Sequence, residues 1–151
     1  MTTKQRTGLL APWVGIPAEY EREFNRWYNT EHLRDRLDLP GFLSANRYES
    51  IRGKPKYFAL YELEHVEVLN EEPYLRARNN PTPLTRKMES LFDPFIRNVY
   101  EEIFTLGEQP AKAAPYVLAV RTNIPATLED EFNSWYNDDH IPALVAVEGV
   151  Y

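Results

Sequence analysis

No cysteine occurs in the 151 residues of the chain. Disulfides, thiolate nucleophiles and cysteine-bound zinc are therefore excluded, and nothing marks the redox state of the compartment. Runs of basic residues are missing as well: 17 Lys and Arg stand against 23 Asp and Glu, for a formal net charge of −6. Neutralising phosphates needs clustered cations, so no nucleic-acid partner is expected, and Arg76, Arg78, Arg86 and Lys87 read as a solvated face. The polar opening MTTKQRTG has no apolar h-region behind it, and no stretch is apolar enough to span a bilayer. The expectation is a cytoplasmic protein without signal peptide or membrane partner. Histidine is sparse, and His32, His65 and His140 lack ligand spacing, so no metal is expected.

What is present is 43% hydrophobic and 13% aromatic residues, which place the chain among globular proteins with a proper core. One unusual nonapeptide occurs twice, as FNRWYNTEH from Phe24 to His32 and as FNSWYNDDH from Phe132 to His140. The copies lie 108 residues apart, and the register extends from Ile16-Pro17-Ala18 against Ile124-Pro125-Ala126 to Gly41 against Gly149. A period near one hundred residues indicates a duplicated domain, not a solenoid.

The run GLLAPWV predicts a strand that ends at Gly15, and Pro17 suits the first turn of a helix running from Ala18 to about Leu37. On that helix Tyr20, Phe24, Trp27 and Tyr28 fall within one arc. LPGF stops it, and LSANRYES with KPKYFALYELE predicts a hairpin around IRGKP. A second helix follows Asn70, is broken near Pro81 and Pro83, and resumes through LTRKMESLF; FIRNVYEEIFTL closes the unit as a strand. The order β-α-β-β-α-β is ferredoxin-like, an α+β fold with two helices on one face of a four-stranded antiparallel sheet. The expected organisation is a first copy over residues 8–106, a linker over 107–115 and the start of a second, truncated copy over 116–151. In that copy YVLAVRTNIP is the expected strand, and Trp135, like Trp27, is expected to turn toward a sheet. A single strand cannot bury a face, so the expectation is either a longer tandem chain or a homo-oligomer that completes the sheet.

The segments EFNRWYNTEHL and LPGFLSANRY resemble the EthD-like branch of the dimeric α+β barrel superfamily, in which a helix with this aromatic and histidine signature precedes a P-G-F turn and an arginine-bearing strand. RNVYEEIF resembles the closing strand of tandem members. The resemblance implies two ferredoxin-like sheets packed face to face, with a pocket between sheet and helices in each half. It also implies a range of chemistry: polyketide cyclases, muconolactone isomerase, cofactor-independent monooxygenases of the anthrone type, and haem-binding branches.

Tyr28 and His32 are i, i+4 neighbours, and Glu31 falls inside the aromatic arc on a helical wheel. Desolvation would raise its carboxyl pKa while a nearby anion favours imidazolium, so Glu31 and His32 could exchange a proton near neutrality, with Tyr28 as donor. These three are the candidate catalytic residues, repeated as Tyr136, Asp139 and His140. Trp27, Asn29, Arg47 and Tyr48 are the candidate substrate-binding residues, Arg47 as a clamp for an anion or enolate. Each has a plainer role beside this one: His32 as a helix-end cap, Trp27 as core, Asn25 and Asn29 as bonds to adjoining loops, Arg47 as a solvated strand residue. The expected function is metal-free acid/base chemistry of the cyclase, isomerase or lyase kind on an aromatic or polyketide-like molecule. The alternatives are cofactor-independent oxygenation and non-catalytic binding of a small molecule or haem. No cofactor is expected, haem being the one the resemblance would admit.

Overall fold

Alternating burial explains the sheet. The computed structural model, which describes residues 7–107 and 114–151, has four strands: β1 (Gly8–Val14), β2 (Phe42–Glu49), β3 (Tyr57–Leu63) and β4 (Phe95–Glu101). They form one antiparallel sheet in the order β2-β3-β1-β4. In β3 the burial alternates strictly, with Tyr57, Ala59, Tyr61 and Leu63 inward, as a strand covered on one side requires. Ala11 and Pro12 lie in the gap of the β1–β3 register, where Pro12 has no N–H to donate.

Two helical layers cover that face. The first is a continuous helix made of a 3-10 turn (Ala18–Tyr20), α1 (Glu21–Trp27), a π turn (Tyr28–His32) and α2 (Leu33–Leu37). The second holds α3 (Glu72–Asn79) and α4 (Pro83–Glu89), broken at the predicted prolines. Thr82 caps α4 by accepting from the Thr85 N–H, with Pro83 at the first helical position. The core between the layers holds Phe24, Trp27, Tyr28, Leu63, Val68 and Met88, each at 3% exposure or less. Burying each of these contributes about 1.5–3 kcal/mol. This is the ferredoxin-like α+β fold expected for the first copy.

The π turn has a geometric consequence for the site. In a plain α-helix an i, i+4 row drifts by about 40° per step. A widened turn takes up part of that drift. Phe24, Tyr28, His32 and Arg36 thereby stay in one inward row, with Phe24, Tyr28 and Arg36 buried and His32 half-buried.

By its contacts the chain divides into two units, Met1–Glu102 and Ile103–Tyr151. Most of the expected linker, residues 108–113, lies outside the described residues. In the second unit the helix repeats the first element by element: a 3-10 turn (Ala126–Leu128), α5 (Glu129–Trp135), a π turn (Tyr136–His140) and α6 (Ile141–Val145). The strand expected from YVLAVRTNIP is absent: residues 116–125 have no ladder partner among the described residues. A strand exists only where a neighbour takes its backbone N–H and C=O groups, and apolar alternation supplies no neighbour. Trp135 accordingly stands 47% exposed and not turned onto a sheet, whereas Trp27 is 1% exposed.

Candidate functional site

A cavity of about 300 Å³ opens between the sheet and the helical layer, at the lower end of the size of small-molecule sites. Strand positions 10, 12 and 14 of β1 form its floor with Tyr61 of β3 and Phe95 and Arg97 of β4. Tyr28, His32 and Arg36 come down from the first helix, and Tyr74, Arg78 and Glu89 from the second layer. A second cavity of similar size lies on the other side of His32 and Arg36, between α2 and the α3–α4 break, with Asp35, Asp38 and Thr82 in its wall. His32 and Arg36 line both.

The phenols of Tyr28 and Tyr61 meet at 2.9 Å in a buried hydrogen bond. Burial raises the pKa of both, that of Tyr61 well above its ordinary value, so both stay protonated at neutrality. Two hydroxyls share one bond between them, so one O–H is left to donate elsewhere, and both residues line the cavity. His32 packs its ring 4.6 Å from that of Trp27 and 4.9 Å from that of Tyr28. Its pKa is lowered to about 3, chiefly by burial and then by the positive charges of Arg36 and Arg47. The imidazole is neutral at pH 7.

This corrects the expected pairing of Glu31 with His32. Glu31 Oε1 instead accepts from Thr82 Oγ1 at 2.5 Å and Thr85 Oγ1 at 2.9 Å, while Trp27 Nε1 donates to Thr85 Oγ1 at 3.0 Å. The carboxylate brackets the first helix to α4 and does not line the sheet-side cavity. The charges that reach His32 are cationic, the opposite of the sign expected: Arg36 lies one turn on along the same helix and Arg47 on the strand beneath it.

Arg47 and Tyr48 are neighbours on β2 and therefore point to opposite faces. Arg47 lies under the first helix, where Nη1 donates to Asn29 Oδ1 at 2.6 Å and Nη2 to Asn25 Oδ1 at 2.9 Å, with the guanidinium 4.0 Å above the Tyr28 ring. It is a clamp on the helix and not on an anion in the cavity. Asn29 is occupied by the same contact, and both asparagines bond a strand residue where loops had been expected. Tyr48 stacks on Phe58, which stacks on Trp13, all on the face turned away from the helices. Trp27 is core, beside the cavity through His32. Tyr136, Asp139 and His140 belong to the second unit, where His140 packs 4.8 Å from the rings of both Trp135 and Tyr136. They line neither cavity.

The structure adds residues that sequence reasoning had not singled out: Arg36, Tyr61, Tyr74, Glu89 and Arg97. Arg36 follows His32 by four positions and could have been found from that spacing. The repeat hid it, since the second copy has Leu144 there. Among the described residues, no three His, Asp or Glu side chains converge as a metal site would require.

No family model matches the chain, and no curated protein matches it. Solved structures do. A dimeric ferredoxin-like protein from an uncultured marine organism superposes with a TM-score of 0.54 at 13% identity, over 70% of this chain and 96% of that one. A monooxygenase of Streptomyces coelicolor in complex with the ligand nanaomycin D gives 0.52 at 13% identity, over 70% and 95%. The haem-degrader MhuD of Mycobacterium tuberculosis, with two haems bound in its active site, gives 0.51 at 16% identity, over 66% and 99%. At these identities the likeness is one of fold, and that fold is ferredoxin-like.

Proposed function

We propose that the protein is a small-molecule enzyme that moves a proton on an aromatic substrate held between sheet and helices, with His32 as the base. The observation that carries this reading is the neutral His32 imidazole beside the Tyr28–Tyr61 phenol pair in the wall of one cavity. A base whose conjugate acid is this strong takes a proton only where the product anion is stabilised beside it. The spare phenolic O–H and the arginines of the cavity provide that stabilisation as charge develops on a substrate oxygen. Such deprotonation serves a cyclase, isomerase or lyase.

It also serves oxygenation, since an electron-rich carbanion is what reacts with O₂ without a cofactor. The fold shared with a monooxygenase in complex with the ligand nanaomycin D favours keeping this second reading. In the third reading, binding without chemistry, His32 would be the residue to hold a haem, its neutral imidazole being the right kind of donor.

The test uses anthrone, an aromatic carbon acid, as probe. Under nitrogen, His32-dependent deuterium exchange at its acidic methylene supports proton transfer. Anthraquinone formed only when O₂ is admitted supports the oxygenase. No exchange above buffer in either gas defeats both.

Trp13, Phe58 and Tyr48 form an aromatic stripe on the sheet face away from the helices. We read that face as the contact between two copies, in keeping with the dimeric fold relative. The repeated helix, with its repeated π turn, supports the tandem reading of the chain.

A further inference from the structure

We propose that the cavity selects an anionic aromatic ligand and that Arg36 is the residue that receives the acid group. The inference deepens the proposed reaction by naming what enters the same cavity.

Arg36 is 9% exposed, and its Nη1 is buried with no hydrogen-bond partner among the described residues. A guanidinium cannot shed its charge, and a buried charge without a counter-ion is costly to the fold. The other cationic groups of the wall differ. Arg97 gives Nη2 to the Tyr74 hydroxyl at 3.0 Å, and Arg78 is exposed. Glu89, the one carboxylate of the wall, is exposed; the Arg36 charge reaches it, but no ion pair joins the two among the described residues. Three arginines against one glutamate leave the wall positive, and the deepest of these cations carries a buried nitrogen without a hydrogen-bond partner.

The rest of the wall states what the acid group is attached to. Leu10, Val14 and Phe92 are apolar, Tyr28, Tyr61 and Tyr74 present ring surface, and the Arg36 guanidinium itself lies 5.4 Å from the centre of the Tyr74 ring. A flat aromatic frame fills such a wall, and its carboxylate or acidic oxygen meets the Arg36 guanidinium where it lines the cavity. The hydroxyl left over from the Tyr28–Tyr61 pair is then a second donor for the same ligand.

The experiment compares 2-naphthoate with its neutral isostere 2-naphthamide by calorimetry on the full chain. The expected result is at least tenfold tighter binding of the carboxylate. Arg36→Met should erase that preference, Arg36→Lys should keep part of it, and Arg86→Gln, at an exposed position that lines neither cavity, should leave it standing. Equal binding of acid and amide by the unaltered protein, no binding of either, or a preference that survives Arg36→Met would each overturn the proposal. The acid–amide comparison needs no variant, so it decides even if Arg36→Met fails to fold. Selective binding without anthrone exchange would leave the anion site and remove the proton-transfer reading. Exchange with equal binding of acid and amide would do the reverse.

Discussion

Arg47 lies 4.0 Å above the ring of Tyr28 and gives its two terminal nitrogens to Asn25 and Asn29, so one strand residue grips three positions of the nonapeptide. This contact accounts for two asparagines that are poor helix formers. Asn25 in turn donates to the Tyr57 hydroxyl at 2.9 Å, which donates to Glu21 at 2.5 Å. The grip holds Tyr28 in register with Tyr61.

Replacing Arg47 with Met should therefore cost stability more than affinity. Hydrogen bonds to a charged group contribute about 1.5–3 kcal/mol each, and the partners left behind are only partly solvated. Urea unfolding is expected to show a loss of about 2–4 kcal/mol. Arg47→Lys should rescue little, since a point charge cannot reach both amides. Full stability in either variant, with weakened ligand binding, would return Arg47 to the role of an anion clamp.

Glu31 is the residue whose role changes most. Its carboxylate accepts from Thr82 and Thr85 across the helix pair. Glu31→Gln keeps an acceptor oxygen and should cost under about 1 kcal/mol, whereas Glu31→Ala should cost about 1–2 kcal/mol. In neither variant should exchange per folded molecule change. A drop in anthrone exchange in Glu31→Gln, with the melting temperature unmoved, would reinstate Glu31 as part of the chemistry.

The strands, the broken second helix and the histidine row were legible because burial writes a period into the sequence: two for β3, near four for Phe24, Tyr28 and His32. Across-layer partners were not legible, because period says which side a residue faces and not what meets it there. The helical wheel places Glu31 inside the aromatic arc beside His32, which is why the two pair on paper, yet Glu31 bonds to Thr82 and Thr85 while His32 packs on Trp27 and Tyr28. The same blindness produced the unpaired strand at 116–125, which was expected as the counterpart of β1 and has no ladder partner among the described residues. Arg36 was hidden for another reason. Reading the site from what the two copies share discards whatever only one copy has.

His32 makes the fold sensitive to acid. Its folded pKa of about 3 lies below the ordinary value of 6.5. Between these two values the unfolded chain binds a proton that the folded chain refuses, so stability is undiminished above pH 6.5 and falls as the pH drops toward 3. With the imidazole half-buried, the expected loss by pH 4 is about 1–3 kcal/mol. Unfolding curves at pH 7 and pH 4.5, compared with those of His32→Gln, isolate the contribution. A wild-type slope identical to that of the variant, or an imidazole signal that titrates near 6.5 by NMR, would show that the burial and the two arginines do not act on His32 as argued.

The aromatic stripe of Trp13, Phe58 and Tyr48 gives a prediction about association. Phe58→Lys places a charge at the middle of the stripe without touching the helix-covered face. Light scattering should show the unaltered chain at twice the mass of the variant, with the helical content of both the same. Equal masses would remove this face as the contact between copies.

The two histidines finally test each other. They sit in the same local frame, each packed on a tryptophan and a tyrosine at the end of a π turn. Of the two, His32 has the sheet-side cavity, the phenol pair and an arginine four residues on; the second helix carries Leu144 there and lines neither of the two cavities described. If the local frame made the base, both would matter, and if the cavity makes it, only the first should. His32→Gln is expected to lower anthrone exchange by at least about a hundredfold, with kcat and kcat/KM falling together because the proton moves only in the transition state. Binding of 2-naphthoate should change by less than about threefold, because Arg36 remains. His140→Gln should leave both unchanged. Loss of exchange in both variants, or in neither, would show that the sheet-side cavity is not where the proton moves.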